Sequence, residues 1–378
     1  MRSLALLILF FFVASVSTNL RADDVDTFVQ AEMRSQNIPG ISVAVVKEGK
    51  VIKAEGYGRA SIELGTAAGP ETVFQLASMT KQFTAAGIML LVEDGKIRLD
   101  DPVSKYLDHA PANWSAITLR HLLTMTSGIK DYSPLLGDSK EDFTPARIYQ
   151  AVAALPLDFM PGQKWSYSNS NYVLLGMVIQ RVSGKTWDQF LAERVFGPVR
   201  MTATRRDDPS RIIPGRAALY EERNGKLVNC RYLNPTLLDN GDGGLLTTVL
   251  DVAKWDAALA PGKLLSAASL EQMFSPVKFN GKTIYHYGFG WFLNEAPKHR
   301  IVLHGGGRPG SATQISRFID DHLTVIVLIN RSGINAEQLA NEIARIFVPD
   351  LPVYGSFGPH PIEHPIKWTD KGELIPIE

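Results

Sequence analysis

A serine and a lysine stand three residues apart in "FQLASMTKQFTAAGIMLLVEDG", Phe74 to Gly95, and the rest of that stretch is almost wholly apolar. On a helix, residues i and i+3 share a face, about 4.5 Å apart along the axis, so Ser78 and Lys81 point the same way. Met79, Phe83, Ala86, Gly87, Leu90 and Leu91 follow helical spacing, and 85–92 holds no polar residue. Such a helix is covered on nearly every side. Ser78, Thr80, Lys81, Gln82 and Thr84 confine polarity to the first two turns, so only the N-terminal end meets solvent or a cleft. Glu93, Asp94 and Gly95 then supply a stop signal. At the mouth of a helix, unpaired N–H groups and the positive dipole end favour a developing negative charge. Dipole and desolvation both disfavour the charged form of a lysine there. A lysine that is neutral near working pH takes the serine proton and turns the hydroxyl into a nucleophile.

The spacing alone does not single out this pair, since an N-cap serine beside a solvated lysine reads the same way. It recurs at Ser127 with Lys130, where Gly128 marks a helix end, and at Ser275 with Lys278, where Pro276 marks a turn. Only Ser78 opens a buried helix. A second candidate is "WSYSNSNY", which places Tyr167 and Asn169 in a short loop before a helix expected from Tyr172. Alternating side chains there send a phenol and a carboxamide into one cleft, for proton traffic and hydrogen bonding. The same Y-x-N spacing recurs at Tyr232 and Asn234. A third candidate is "HGGG", His304 to Gly307, directly after the strand-like "RIVL". Glycines on a strand allow close approach, and a backbone N–H there can form half of an oxyanion hole, with the Ser78 N–H as the other half. Each fragment also has a plain reading as a turn, a cap or a bulge.

The elements that must position these groups follow from the rest of the chain. "VDTFVQAEMRSQ" reads as a helix, and "GISVAVVKEGKVIKAEGYG" as two strands about a turn at Glu48 and Gly49. From about Asp100 to Phe196 the text is mainly helical: "ITLRHLLTMTSGI", "TPARIYQAVAALP", "SNYVLLGMVIQRVSG" and "TWDQFLAERVF". "YGFGWFLNE", "RIVLHGGG", "GSATQISRFID" and "LTVIVLIN" read as consecutive antiparallel strands before the helix "NAEQLANEIARIF". Strand-rich ends around a helical middle give an α/β (α+β) fold: an antiparallel sheet flanked by helices, built from both chain ends, with an inserted helical lobe. The expected boundaries are an α/β lobe over about 24–99 and 245–349, a helical lobe over about 100–244, and a proline-rich tail over 350–378, lying on the surface or disordered.

Composition excludes some function classes. The 378 residues, 45% hydrophobic, suit one large domain or two lobes. Lys plus Arg and Asp plus Glu are both 39, so nothing points to a nucleic acid or other polyanion. The N-terminus carries Arg2, an apolar run from Leu4 to Ala14 and small residues at Ser15 and Ser17, which reads as an export signal over 1–17 and a periplasmic or secreted location. The run is shorter than the roughly 20 residues that span a bilayer, so no stable anchor is expected after cleavage, with an uncleaved anchor as the alternative. The only cysteine, Cys230, reads as a structural thiol. His360 and His364 have i, i+4 spacing, but in "HPIEHP" proline excludes a regular helix, so no metal site is expected, and no cofactor.

In this order and with these flanks, the fragments resemble the serine β-lactamase and penicillin-binding-protein superfamily. The Y-x-N form is nearest to class C β-lactamases, D,D-peptidases, D-aminopeptidases and related esterases. The resemblance runs from about Asp24 to Pro349 and includes "ITLRHLLTMTSGI", "PGQKWSYSNSNYVLLGMVIQRVSG" and "GDGGLLTTVLDVAKW". It implies Ser78 as acylated nucleophile, Lys81 as its base partner and Tyr167 as the second proton-transfer group. Asn169, with His304, Gly305 and Gly306, would bind substrate, and Gly307 would join Ser78 in the oxyanion hole. The implied partner is a small-molecule or peptide substrate. The implied activity is that of an exported serine hydrolase acting on an ester or amide. A true β-lactamase, a D,D-carboxypeptidase or a non-catalytic binder of cell-wall peptide on the same fold are the alternatives; an α/β-hydrolase is not, since G-x-S-x-G is absent. One departure bears on substrate class. Relatives that recognise a carboxylate usually carry Lys-Thr-Gly or Lys-Ser-Gly where this chain has His304-Gly305-Gly306. An imidazole with an ordinary pKa near 6.5 should attract a carboxylate only as the pH falls toward about 6. Arg308 reads as a solvated side chain after the strand rather than a substitute cation.

Overall fold

The computed structural model describes residues 21, 23–135, 143–208, 210–230, 240–296, 298–354, 366–368 and 374–376. The proposed export segment 1–17, the Tyr232/Asn234 pair, and His360 with His364 lie outside the described residues.

β-Branched residues dominate "GISVAVVK", which forms strand β1 (Gly40–Lys47), followed by β2 (Lys50–Ser61). Glu48 and Gly49 join them with φ of 50° and 70°, the paired positive values of a tight hairpin whose twist matches its strands. A short β3 (Thr66–Ala67) continues the edge. From the other end of the chain come β4 (Phe292–Ala296), β5 (His299–Arg308), β6 (Ser311–Phe318) and β7 (Leu323–Ile329). The seven strands lie in the order β4-β5-β6-β7-β1-β2-β3, and the consecutive pairs are antiparallel. The ends of the domain meet where β1 pairs with β7, Ile41 facing Ile329 and Val45 facing Val325.

Both faces of this sheet are covered. Val43, Val45, Val325, Val327 and Ile329 join one core with α1 (residues 23–35) and a C-terminal helix. Ala44, Val46, Ile326 and Leu328 join the other with α2 (Lys81–Glu93). Successive residues point to opposite faces, and two apolar layers therefore turn "LTVIVLI" into an unbroken hydrophobic run. Within α2 every residue from Lys81 to Leu91 is buried, as its nearly all-round apolar pattern requires. It packs against α3 (Asn169–Ser183) and is followed by α4 (Val249–Ala258) and α5 (Ala336–Phe347), the latter being the C-terminal helix of the first core.

The structure revises several boundaries. Helix α3 begins at Asn169, not at Tyr172, so the carboxamide stands on the first helical residue rather than in a loop. "ITLRHLLTMTSGI" yields only Leu119–Leu123, capped by the Thr118 side chain and followed by Met125 at φ 60°, where the helical path is lost. The strand expected from "YGFGWFLNE" starts at Phe292, since Gly290 has φ 79°. In the tail, Ile366–Trp368 pairs antiparallel with Leu374–Pro376. Among the described residues no helix is long and apolar enough to cross a membrane, and no cluster of His, Cys, Asp or Glu is suited to a metal.

Candidate active site

Ser78 lies in a 3-10 turn, Ala77–Thr80, that runs straight into α2 at Lys81. The preceding Ala77 has φ 49°, a sparsely populated conformation for a residue with a side chain, which the surrounding packing must impose. Ser78 is half-buried, whereas Lys81 is fully buried. The Lys81 Nζ lies 3.0 Å from Ser78 Oγ, 2.8 Å from Asn169 Oδ1 and 2.8 Å from the Asp242 carbonyl oxygen. Both carbonyl-type oxygens can only accept. A neutral amine therefore donates to those two and turns its lone pair to the one partner able to give a proton, the Ser78 hydroxyl. Burial pushes the Lys81 pKa down to about 8; Asp242 opposes the fall, the Arg308 charge adds to it, and Asp131 opposes it.

Asn169 is held in the orientation this needs. Its Nδ2 donates to Asp131 Oδ2 at 3.0 Å and to Ser133 Oγ at 3.2 Å, which leaves Oδ1 for Lys81. Asp131 is itself pinned by the Ser133 N–H and hydroxyl, both at 2.8 Å. Burial raises the Asp131 pKa, and the donors from Ser133 oppose that rise.

The Tyr167 ring lies 5.0 Å from Lys81 Nζ, and its hydroxyl hydrogen-bonds Ser78. Burial keeps the phenol well above its ordinary range, which the Ser78 hydrogen bond only partly offsets. At neutral pH it is therefore protonated, not a resting anion. The ring lies nearly parallel to Phe292, centroids 6.4 Å apart, beside Trp165, which stacks on Tyr285 at 3.6 Å.

Strand β5 brings the third group. A side chain on Gly306 would meet the Leu76 carbonyl oxygen at 2.1 Å and Thr313 Oγ1 at 2.5 Å, so only glycine lets the strand press against the loop entering Ser78. Thr313 Oγ1 donates to that same carbonyl at 2.8 Å. Gly305 is half-buried, and its outward space holds Gln314 Oε1. Gly307 is exposed with open space before it.

Two expectations are corrected here. His304 is 1% exposed, enclosed by Tyr167, Tyr287 and Phe292. Its Nδ1 lies 2.6 Å from the Gly305 carbonyl and so carries the hydrogen, leaving Nε2 to accept from the Tyr287 hydroxyl at 3.3 Å. Burial pushes its pKa down to about 3, and the nearby Lys81 adds to this. It stays neutral at pH 6, and the anticipated gain of charge does not occur. Arg308 is not a solvated side chain: it is 15% exposed and places Nη2 3.6 Å from Asp242 Oδ2.

The decoy serines bond elsewhere, Ser127 Oγ to Asn171 Oδ1 at 2.6 Å and Ser275 Oγ to the Glu271 carbonyl at 2.6 Å. Burial pushes the Cys230 thiol up to about 12, the opposite of activation. Sequence reasoning missed Asp131, Ser133, Asp242, Tyr132 and the Trp165–Tyr287–Phe292 wall. The signal open to it was the glycine-rich "NGDGGL", where small residues let another segment approach.

A family model described as Beta-lactamase matches residues 25–348. The chain belongs to the beta-lactamase family. It is 34% identical over 307 residues to Penicillin-binding protein 4* of Bacillus subtilis (strain 168), covering 77% of this chain and 68% of that one. The chain spans about two thirds of the length of the curated relatives it matches. Among solved structures it is similar to an octameric penicillin-binding protein homologue from Pyrococcus abyssi, with TM-score 0.76 and 27% identity over 86% of this chain and 77% of that one. It is also similar to a D-stereospecific amidohydrolase from Streptomyces sp., with TM-score 0.70 and 26% identity over 83% and 95%. Membership makes the chain a serine hydrolase of this family, on a mixed α/β fold with a large antiparallel sheet.

Proposed function

We propose that this chain is an exported hydrolase that cleaves esters or amides lacking a carboxylate beside the scissile bond, through an acyl-enzyme on Ser78. The observation that carries the reading is the dry Lys81 amine, whose partners leave Ser78 as its only proton source. Neutral Lys81 takes the Ser78 proton as Oγ attacks the carbonyl carbon, and the resulting oxyanion is received by the Ser78 and Gly307 N–H groups. Protonated Tyr167 gives its hydrogen to the leaving alkoxide or amine and regains one from Lys81. Water then attacks the ester, with the same pair taking up its proton, and Ser78 is released. Asn169 holds Lys81 and borders the substrate carbonyl region, while β5 with Gly305 and Gly306 forms the opposite wall.

The substrate class follows from charge. His304 contributes a neutral ring where carboxylate-binding relatives carry a lysine, and Arg308 is already engaged by Asp242. Substrates without a carboxylate beside the scissile bond are therefore preferred over penicillins, cephalosporins and D-Ala-D-Ala peptides. The similarity to a D-stereospecific amidohydrolase supports an amide among them. Export rests on the N-terminal segment read from the sequence.

The test is labelling of the mature protein with a fluorophosphonate, mapped by mass spectrometry, beside turnover of an activated neutral ester, a D-amino-acid amide, a D-Ala-D-Ala peptide and a chromogenic cephalosporin. Adducts on Ser78, lost in Ser78→Ala, with turnover of the ester or amide are expected. Labelling elsewhere, or a cephalosporin as the best substrate, would contradict the reading.

A further inference from the structure

Of the three partners of Lys81 Nζ, the Asp242 carbonyl alone comes from an irregular segment, the turn 240–244. That turn is tied down by charge. The Asp242 carboxylate is 4% exposed; its Oδ2 accepts from the Tyr132 hydroxyl at 3.0 Å and faces Arg308 Nη2 at 3.6 Å. The guanidinium covers Gly243 so closely that a side chain there would come within 2.4 Å of Nη2. Asp242 Oδ1 and Arg308 Nη1 are both buried without a hydrogen-bond partner. A largely enclosed, incompletely satisfied ion pair is poor as a stabilising device, because desolvation cancels much of its attraction. Its place explains it better: one member supplies, through its own main chain, the oxygen that holds the lysine.

We propose that the Asp242–Arg308 pair is a positioning element for Lys81, seating the Asp242 carbonyl on the amine and setting two opposed charges beside it. The inference rests on the Ser78–Lys81 reading above. The carboxylate favours the ammonium and the guanidinium disfavours it. The other groups around Lys81 are Ser78 from its own turn, Asn169 and the Tyr167 and Tyr172 rings from the α3 side, Asp131 and Tyr132, and neutral His304 from β5. Asp207 also feels Arg308 but is paired with Arg216. Removing either charge of the pair therefore leaves the other unbalanced against Lys81, with opposite signs.

The experiment is single-turnover acylation by an uncharged p-nitrophenyl ester, followed from about pH 6 to about pH 10, where the rate rises as Lys81 loses its proton. Arg308→Gln should move the midpoint up and Asp242→Asn should move it down, each by about half a unit or more, the scale of one nearby charge. The double variant should return toward the wild-type midpoint. Arg308→Lys keeps the charge without the planar fork and should hold the midpoint even where the rate falls. Rates that drop at an unmoved midpoint in every variant, or midpoints that move the same way in both single variants, overturn the inference. Should Arg308→Gln fail to fold, Asp242→Asn decides alone, since an unmoved or raised midpoint there is enough to reject it. Ser78→Ala separates the two readings: ester turnover surviving in it removes the acyl-enzyme, whereas an inert Ser78→Ala with unmoved midpoints removes only the role of the pair.

Discussion

Lys81 and His304 are both basic side chains sealed from water around one site, and burial drives both toward the neutral form. They end in different places, about 8 for the lysine and about 3 for the imidazole. Their ordinary values differ by about four units, and their surroundings add to the contrast. Lys81 meets three oxygen partners and two carboxylates in range, so its charged form keeps real support. His304 meets one carbonyl, one phenol and the flanks of aromatic rings, while Lys81 itself adds repulsion. One group changes protonation state within working pH, and the other is a fixed neutral piece of the wall. Desolvation sets the direction of a shift; the polar partners decide whether the residue is left usable as a base.

Breaking the lysine side should have the largest effect. Lys81→Ala and Tyr167→Phe should each slow acylation by about 10² or more, the scale of lost general-base help. The double variant should fall short of the product of the two losses, because groups acting as one unit are not additive. Pre-steady-state burst rates check this. Next comes the amide clamp. Asp131→Ala frees Asn169 to turn its NH₂ toward Lys81, and kcat should fall by about tenfold, the cost of about one mis-set hydrogen bond, while Asp131→Asn should lose less. The smallest effect belongs to the imidazole. His304→Gln keeps a neutral donor and acceptor in the cage, so kcat/KM should stay within about tenfold and the pH midpoint should not move. A change of midpoint would mean that the ring does titrate in the working range.

These residues also show what could be read before folding. The all-apolar run from Ala85 to Val92 already announced a helix closed on every side, and with it a lysine cut off from water. The Glu48–Gly49 turn and the four C-terminal strands were written in local propensity and spacing. What failed depended on distant partners. Asp131 is 38 residues from the amide it orients, and Asp242 is 161 from the amine it holds; neither relation leaves a periodic trace. The partial enclosure of Arg308 likewise arises only when β5 meets the turn at 240–244, and the titration of His304 was misjudged because its cage is assembled from Tyr167, Tyr287 and Phe292. The start of α3 was placed three residues late because "SNSN" reads as a loop, although the Asn169 N–H finds Asp131 Oδ2 at 3.3 Å and the helix begins there.

The contrast between the two buried bases can be measured in one sample. Heteronuclear NMR titration of the lysine side-chain nitrogen and the imidazole signals, assigned with Lys81→Arg and His304→Gln, reports both protonation states directly. The expected result is a Lys81 transition centred near 8 and a His304 ring that stays in a single neutral tautomer, hydrogen on Nδ1, from about pH 5 to about pH 9. A Lys81 that stays charged to about pH 10, or a His304 that gains its proton near pH 6.5, would contradict it.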